Sequence, residues 1–127
     1  MKAYERFLNY IKFDTASSET SGVTPSTEGQ RVLADALCRE LIALGVENAH
    51  VDENAYVMCH LPATAGYEDA ASVGFIAHMD TSPDFSGKDV NVQIIENYDG
   101  GDVVLAGTGD VLTVKPEDED GFLYIKG

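Results

Sequence analysis

The residues best suited to chemistry lie in one stretch, Ile76-Ala77-His78-Met79-Asp80-Thr81-Ser82-Pro83-Asp84. His78 and Asp80 are two positions apart, so on an extended backbone both side chains project to the same side. A neutral imidazole is a good zinc ligand, and a neighbouring carboxylate can fix its orientation. Pro83 stiffens the loop that follows. The same spacing also describes a histidine satisfied by a local carboxylate, the commoner meaning of so short a motif. A catalytic zinc takes at least three protein ligands. His50 and His60 show no ligand spacing with His78, and an ordinary structural or surface role is expected for each.

The elements that must position this pair can be read from pattern. Residues 72–77, Ser-Val-Gly-Phe-Ile-Ala, are apolar nearly throughout, as in a strand covered on both faces. In open α/β sheets ligands gather beyond the carboxyl ends of such strands, which is where His78 falls. Upstream, Tyr4, Phe7, Leu8 and Ile11 make one face of a short helix, and residues 13–25, rich in Ser, Thr and Gly, read as a loop. Thr27 and Gln30 fit a capping box that opens a second helix. Leu33, Leu37, Leu41 and Leu44, with Val32, Ala36 and Ile42, form its apolar stripe, and Gly45 its left-handed end. Residues 49–52 and 56–61 read as strands about the turn Asp52-Glu53-Asn54, and residues 90–94, 103–106 and 111–114 as further strands. The order suggests an α/β layer architecture, with helices packed on a mixed sheet.

Composition narrows the class. The chain has 127 residues and a formal net charge of −14, from 8 Lys+Arg against 22 Asp+Glu. That acidity argues against duplex nucleic acid and anionic membranes as partners, since both require clustered cations. No apolar run approaches the length that spans a bilayer. Charges interrupt the first ten residues where a signal peptide needs an apolar core, so a cytoplasmic protein is expected. Cys38 and Cys59 read as buried, reduced thiols without zinc spacing.

Other motifs carry less. Gly107-Thr108-Gly109 lacks the third glycine and the helix of a phosphate cradle. Aligning Gly121 with the sixth position of a calcium loop puts Pro116 first and Gly127 twelfth, where carboxylates are required, so an EF-hand is ruled out. The acidic run 117–120 is expected to be solvated. The apolar ending at 122–127 has no cap or polar tail and looks cut.

Longer stretches resemble a known family. The run from His78 to Asn91, continued by Gln93-Ile94-Ile95-Glu96-Asn97-Tyr98-Asp99-Gly100-Gly101-Asp102, closely resembles the peptidase T family of dizinc tripeptide aminopeptidases. Ser17-Ser18-Glu19-Thr20 and Pro25-Ser26-Thr27-Glu28-Gly29-Gln30 resemble its N-terminal signature, and the likeness runs to about Leu112. Val92 stands where the family typically has a proline, which alters loop rigidity and leaves the metal site untouched.

The resemblance implies that His78 is a ligand of one of two zinc ions. It implies that Asp80 is the catalytic-site carboxylate clamping that imidazole, and that the substrate is a tripeptide cut after its first residue. It also implies that residues 1–127 are the N-terminal segment of a metallopeptidase catalytic domain. By the same resemblance, the rest of that domain, with the bridging aspartate, the glutamate base and the other ligands, and the lid or dimerisation domain are expected to be absent from these residues. Two divalent ions about 4 Å apart repel unless several carboxylates neutralise them. One ligand and one orienting group do not suffice, so the chain alone is expected to be inactive. Uncovered apolar surface is expected to make it marginally stable or self-associating, as a homo-oligomer. The rival reading is a non-catalytic binding or assembly module that retains part of the peptidase fold.

Overall fold

In the computed structural model, residues 1–114 and 125–126 are described. They divide into two compact units, Met1–Val90 and Asn91–Gly127.

In the first unit, helix α1 (Ala3–Tyr10) starts where the Glu5 carboxylate accepts the Lys2 amide at 2.6 Å. That bond satisfies one of the donors a helix start leaves free. Helix α2 (Glu28–Ala43) takes Thr27 as its N-cap residue, but no capping-box bond forms. Instead the Thr27 hydroxyl donates to the Ala16 carbonyl at 3.0 Å, and the Gln30 side chain turns back to Ser26 and Ser17. The far end of α2 follows expectation. Gly45 has φ +93°, its amide reaches the Ile42 carbonyl at 2.9 Å, and the Val46 amide reaches Leu41 at 3.0 Å. This pair of bonds is a Schellman cap, and its left-handed position favours glycine.

The two helices meet through Glu40, which pairs with Arg6 and accepts the Tyr10 hydroxyl at 2.5 Å. The other face of α2 covers a hairpin of β1 (His50–Val51) and β2 (Val57–Met58), paired antiparallel with His50 opposite Met58. Its turn is held by the Asp52 carboxylate, which accepts the amides of Asn54 at 2.9 Å and Tyr56 at 2.8 Å. Leu33, Ala34 and Ala55 form the buried apolar core of the described residues. The stripe expected on α2 is therefore narrower. Leu33, Leu37 and Leu41 face inward, while Val32, Ile42 and Leu44 are exposed.

The second unit is a meander of β3 (Val103–Val104), β4 (Val111–Val114) and β5 (Ile125–Lys126), all antiparallel. Gly107-Thr108-Gly109 forms the β3–β4 turn. The Leu105 amide bonds Asp110 and the Gly109 amide bonds Leu105, each at 2.8 Å.

Four expectations are corrected. The sheets are small and wholly antiparallel rather than one mixed sheet, and parallel pairing occurs among the described residues as one isolated bridge, Ala16 with Thr81. Residues 72–77 form no strand, and Phe75 and Ile76 are 95% and 99% exposed. A covered strand needs a ladder partner on each side, and the described residues provide none. Residues 90–94 likewise stay out of any sheet. The thiols also differ from expectation. Both are free, but Cys38 is half-buried and Cys59 exposed, since β2 ends at Met58 before its alternation would return Cys59 to the helix. The acidic run 117–120 and the apolar residues 122–124 lie outside the described residues. Among the described residues, no helix is long and apolar enough to cross a membrane.

Candidate functional site

Thr81 anchors the site. Its amide donates to the Thr15 carbonyl at 3.2 Å, and its carbonyl accepts the Ser17 amide at 3.0 Å. These two bonds bring the loop before α2 alongside His78 and Asp80, which precede Thr81 in sequence. The loop itself rests on the first turn of α2, where Gly29 allows the Asp14 carbonyl to pack against the helix backbone.

His78 and Asp80 do project together. The imidazole Nδ1 lies 3.0 Å from Asp80 Oδ1, and the side chains are 84% and 46% exposed. On the other oxygen, Asp80 Oδ2 accepts the Ser17 hydroxyl at 2.5 Å. The Ser17 hydroxyl and, next, His78 hold the Asp80 carboxyl below its ordinary value, against a slight opposing effect of burial. An ionised carboxylate only accepts, so the hydrogen of the His78–Asp80 bond sits on Nδ1. In the neutral imidazole the lone pair is then on Nε2, the form in which an imidazole binds a metal.

The lowered Asp80 value has a sign that can be tested. The carboxylate's favourable contacts are fully present above the unfolded-state value near 4 and are lost as pH falls through the lower folded value. Urea midpoints should therefore drop more steeply on acidification below about pH 4 for the parent chain than for Asp80→Asn. Parallel acid profiles would count against the Ser17–Asp80–His78 contacts.

Residues 77–80 border two concavities. A cleft of about 290 Å³ is lined by Pro25, Asn54, Tyr56, Ile76, His78 and Asp80 among others. A larger groove of about 810 Å³ has apolar walls that include Phe7, Ile11, Phe13, Leu37 and Phe85. Among the described residues, no group of three or more His, Cys, Asp or Glu is placed to hold a metal. His50 and His60 are exposed and stand apart from the pair: His50 contacts the Asn48 carbonyl, and the His60 amide donates to the Asn48 side chain. The residues present thus fit one zinc ligand and its orienting group, and do not make a closed zinc site.

No protein-family model matches the chain. Individual relatives do. A peptidase T of Parabacteroides distasonis is 55% identical over 105 residues, covering 83% of this chain and 25% of that protein. A peptidase T of Caldanaerobacter subterraneus is 55% identical over 104 residues, covering 82% and 25%. One from Clostridium acetobutylicum is 46% identical over 123 residues, covering 97% and 30%.

The chain is homologous to the peptidase T family.

It spans about a quarter of the length of the peptidase T relatives with which it shares 55% identity. The expected pair is brought together, but the groups behind it are not found by reasoning from His-x-Asp alone. Ser17 reaches Asp80 from far upstream, and Gln30 reaches Ser17. Their signal was present in the sequence: both fall in the two N-terminal segments that resemble peptidase T.

Proposed function

We propose that this chain forms the N-terminal segment of the catalytic domain of a zinc-dependent aminopeptidase that releases the first residue of tripeptides. In this reading His78 Nε2 is a ligand of one of two zinc ions, and Asp80 holds the imidazole by its Nδ1 hydrogen. The observation that supports it is the 3.0 Å His78–Asp80 bond in a chain homologous to peptidase T. Bound zinc supplies Lewis acidity. The residues of this chain supply orientation: one imidazole with its tautomer chosen, facing a cleft with apolar walls. The remaining ligands and the proton-transferring carboxylate belong, in this reading, to the greater part of the enzyme, which the relatives have and this chain does not span.

Two proteins test the reading: the 127-residue chain, and the same chain continued by the remainder of the Parabacteroides distasonis relative. Zinc titration calorimetry and amino-acid release from tripeptides are measured on both. The continued protein is expected to bind zinc tightly and hydrolyse tripeptides. The short chain is expected to bind weakly and release nothing. A continued protein inert toward tripeptides overturns the function, and hydrolysis by the short chain overturns the division of the site.

A further inference from the structure

Gln30 is only 7% exposed, and each end of its amide is assigned by a neighbour. The Ser26 backbone N–H donates to Gln30 Oε1 at 2.9 Å, so Nε2 must be the end that faces Ser17. From Nε2, one hydrogen reaches Ser26 Oγ at 2.9 Å, and the other is shared between Ser17 Oγ at 3.3 Å and the Thr15 carbonyl at 3.4 Å. The Ser26 hydroxyl in turn accepts the Ser18 amide at 3.1 Å, which ties the same loop to the start of α2. With an N–H directed at its oxygen, the Ser17 hydroxyl has one hydrogen to give and gives it to Asp80 at 2.5 Å. Asp80 is thereby turned so that its other oxygen meets His78 Nδ1. Donors converge on the carboxylate from two sides, the buried amide through the hydroxyl on Oδ2 and the imidazole on Oδ1.

We infer that Ser17 and Gln30 are positioning residues for His78. By fixing the rotation of the Asp80 carboxylate they select the imidazole tautomer whose Nε2 is free to coordinate. An 84% exposed imidazole has water available at both nitrogens, so its tautomer follows whichever neighbour is held still. Asp80 alone, 46% exposed, would turn toward solvent; the hydroxyl at 2.5 Å prevents this. The use of this arrangement to an enzyme rests on the reading of His78 as a zinc ligand, whereas the tautomer itself does not.

The test is therefore made without metal. The 127-residue chain is labelled with ¹⁵N at histidine, and the His78 tautomer ratio is read from the two imidazole nitrogen shifts well above the pH at which imidazole titrates. The parent chain is expected to hold the Nδ1–H form in the majority. Ser17→Ala should shift the ratio toward Nε2–H by roughly threefold to tenfold, the change that one ordinary hydrogen bond produces. Ser17→Thr, which keeps the hydroxyl, should restore the parent ratio. Gln30→Glu, which offers the Ser17 hydrogen a rival acceptor, should shift it in the same direction as Ser17→Ala. Backbone amide spectra of α2 show whether each variant is folded. Should the alanine variant not fold, Ser17→Cys keeps the volume, weakens the donor and carries the same test. A parent chain mainly in the Nε2–H form, or an unchanged ratio in a folded Ser17→Ala or Ser17→Cys, overturns the inference. An unchanged ratio in a folded Gln30→Glu overturns the part assigned to Gln30. If the ratios behave as stated and the continued protein binds no zinc, the zinc reading alone fails.

Discussion

Gly29→Ala is expected to unfold the Met1–Val90 unit under conditions where the parent chain is folded. In an exposed helix position this substitution would favour folding by up to about 1 kcal/mol, because alanine is the better helix former. Here the sign reverses. A Cβ at position 29 would overlap the Asp14 carbonyl oxygen and lie 2.8 Å from the carbonyl carbon. The clash is with backbone, so no rotamer relieves it. Nor is the loop free to retreat, because Thr27 holds the Ala16 carbonyl and Thr81 is bonded on both sides of Ala16. Relief would break those bonds, and the apolar core of three residues has little stability in reserve. A loss of more than about 3 kcal/mol is expected, at the upper end of overpacking effects. Gly74→Ala is the control, since a Cβ there meets nothing within 4 Å and φ is not positive. Urea midpoints followed by circular dichroism give the comparison. Similar midpoints for the two variants would show that the loop does not sit on the helix as described.

The second large effect concerns the site in the protein continued to the length of its relatives. His78→Ala removes the proposed ligand, and is expected to empty one of two zinc positions and to lower tripeptide turnover at least about a hundredfold. Asp80→Ala leaves the imidazole in place but frees its rotation and tautomer. Loss of such an orienting partner typically costs about 10- to 100-fold. Turnover should therefore fall while zinc content changes less than in His78→Ala. Metal counts by mass spectrometry and initial rates on one tripeptide separate the two. Equal zinc loss in both variants would make Asp80 a direct ligand, and full zinc content in His78→Ala would remove His78 from the site.

The parts of this structure legible in sequence are those set by local interactions. The helix over 28–43 follows from the leucine spacing and ends at Gly45, where a left-handed residue was required. The hairpin about Asp52 follows from the turn chemistry of one carboxylate. The pair of His78 and Asp80 follows from period-two geometry, although the strand expected to present it is missing. Residues 72–77 carry the apolar content of a covered strand, yet strand formation depends on ladder partners that composition cannot supply. Thr27 and Gln30 show a different kind of failure. Their spacing met the capping-box rule, but tertiary neighbours offered better bonds: the Ala16 carbonyl for the threonine, and Ser26 and Ser17 for the glutamine. Thr27 still starts the helix, while the Gln30 side chain faces Ser17 instead of capping it. Only the longer resemblance, which included both N-terminal segments, singled out that region as more than a loop and a cap.

The bridge between Ala16 and Thr81 sets an order of assembly. Closing a loop of that length costs roughly 4 kcal/mol in chain entropy. Two backbone hydrogen bonds return about 1 kcal/mol each, net of water. The clasp therefore closes only after α2 has formed the surface on which residues 14–17 lie. Its two bonds hold Ser17 against Asp80. A ligand bound only to the closed form would draw this local equilibrium shut by mass action, in proportion to its occupancy. Assembly of the His78 environment is in this sense a late folding step that binding can complete.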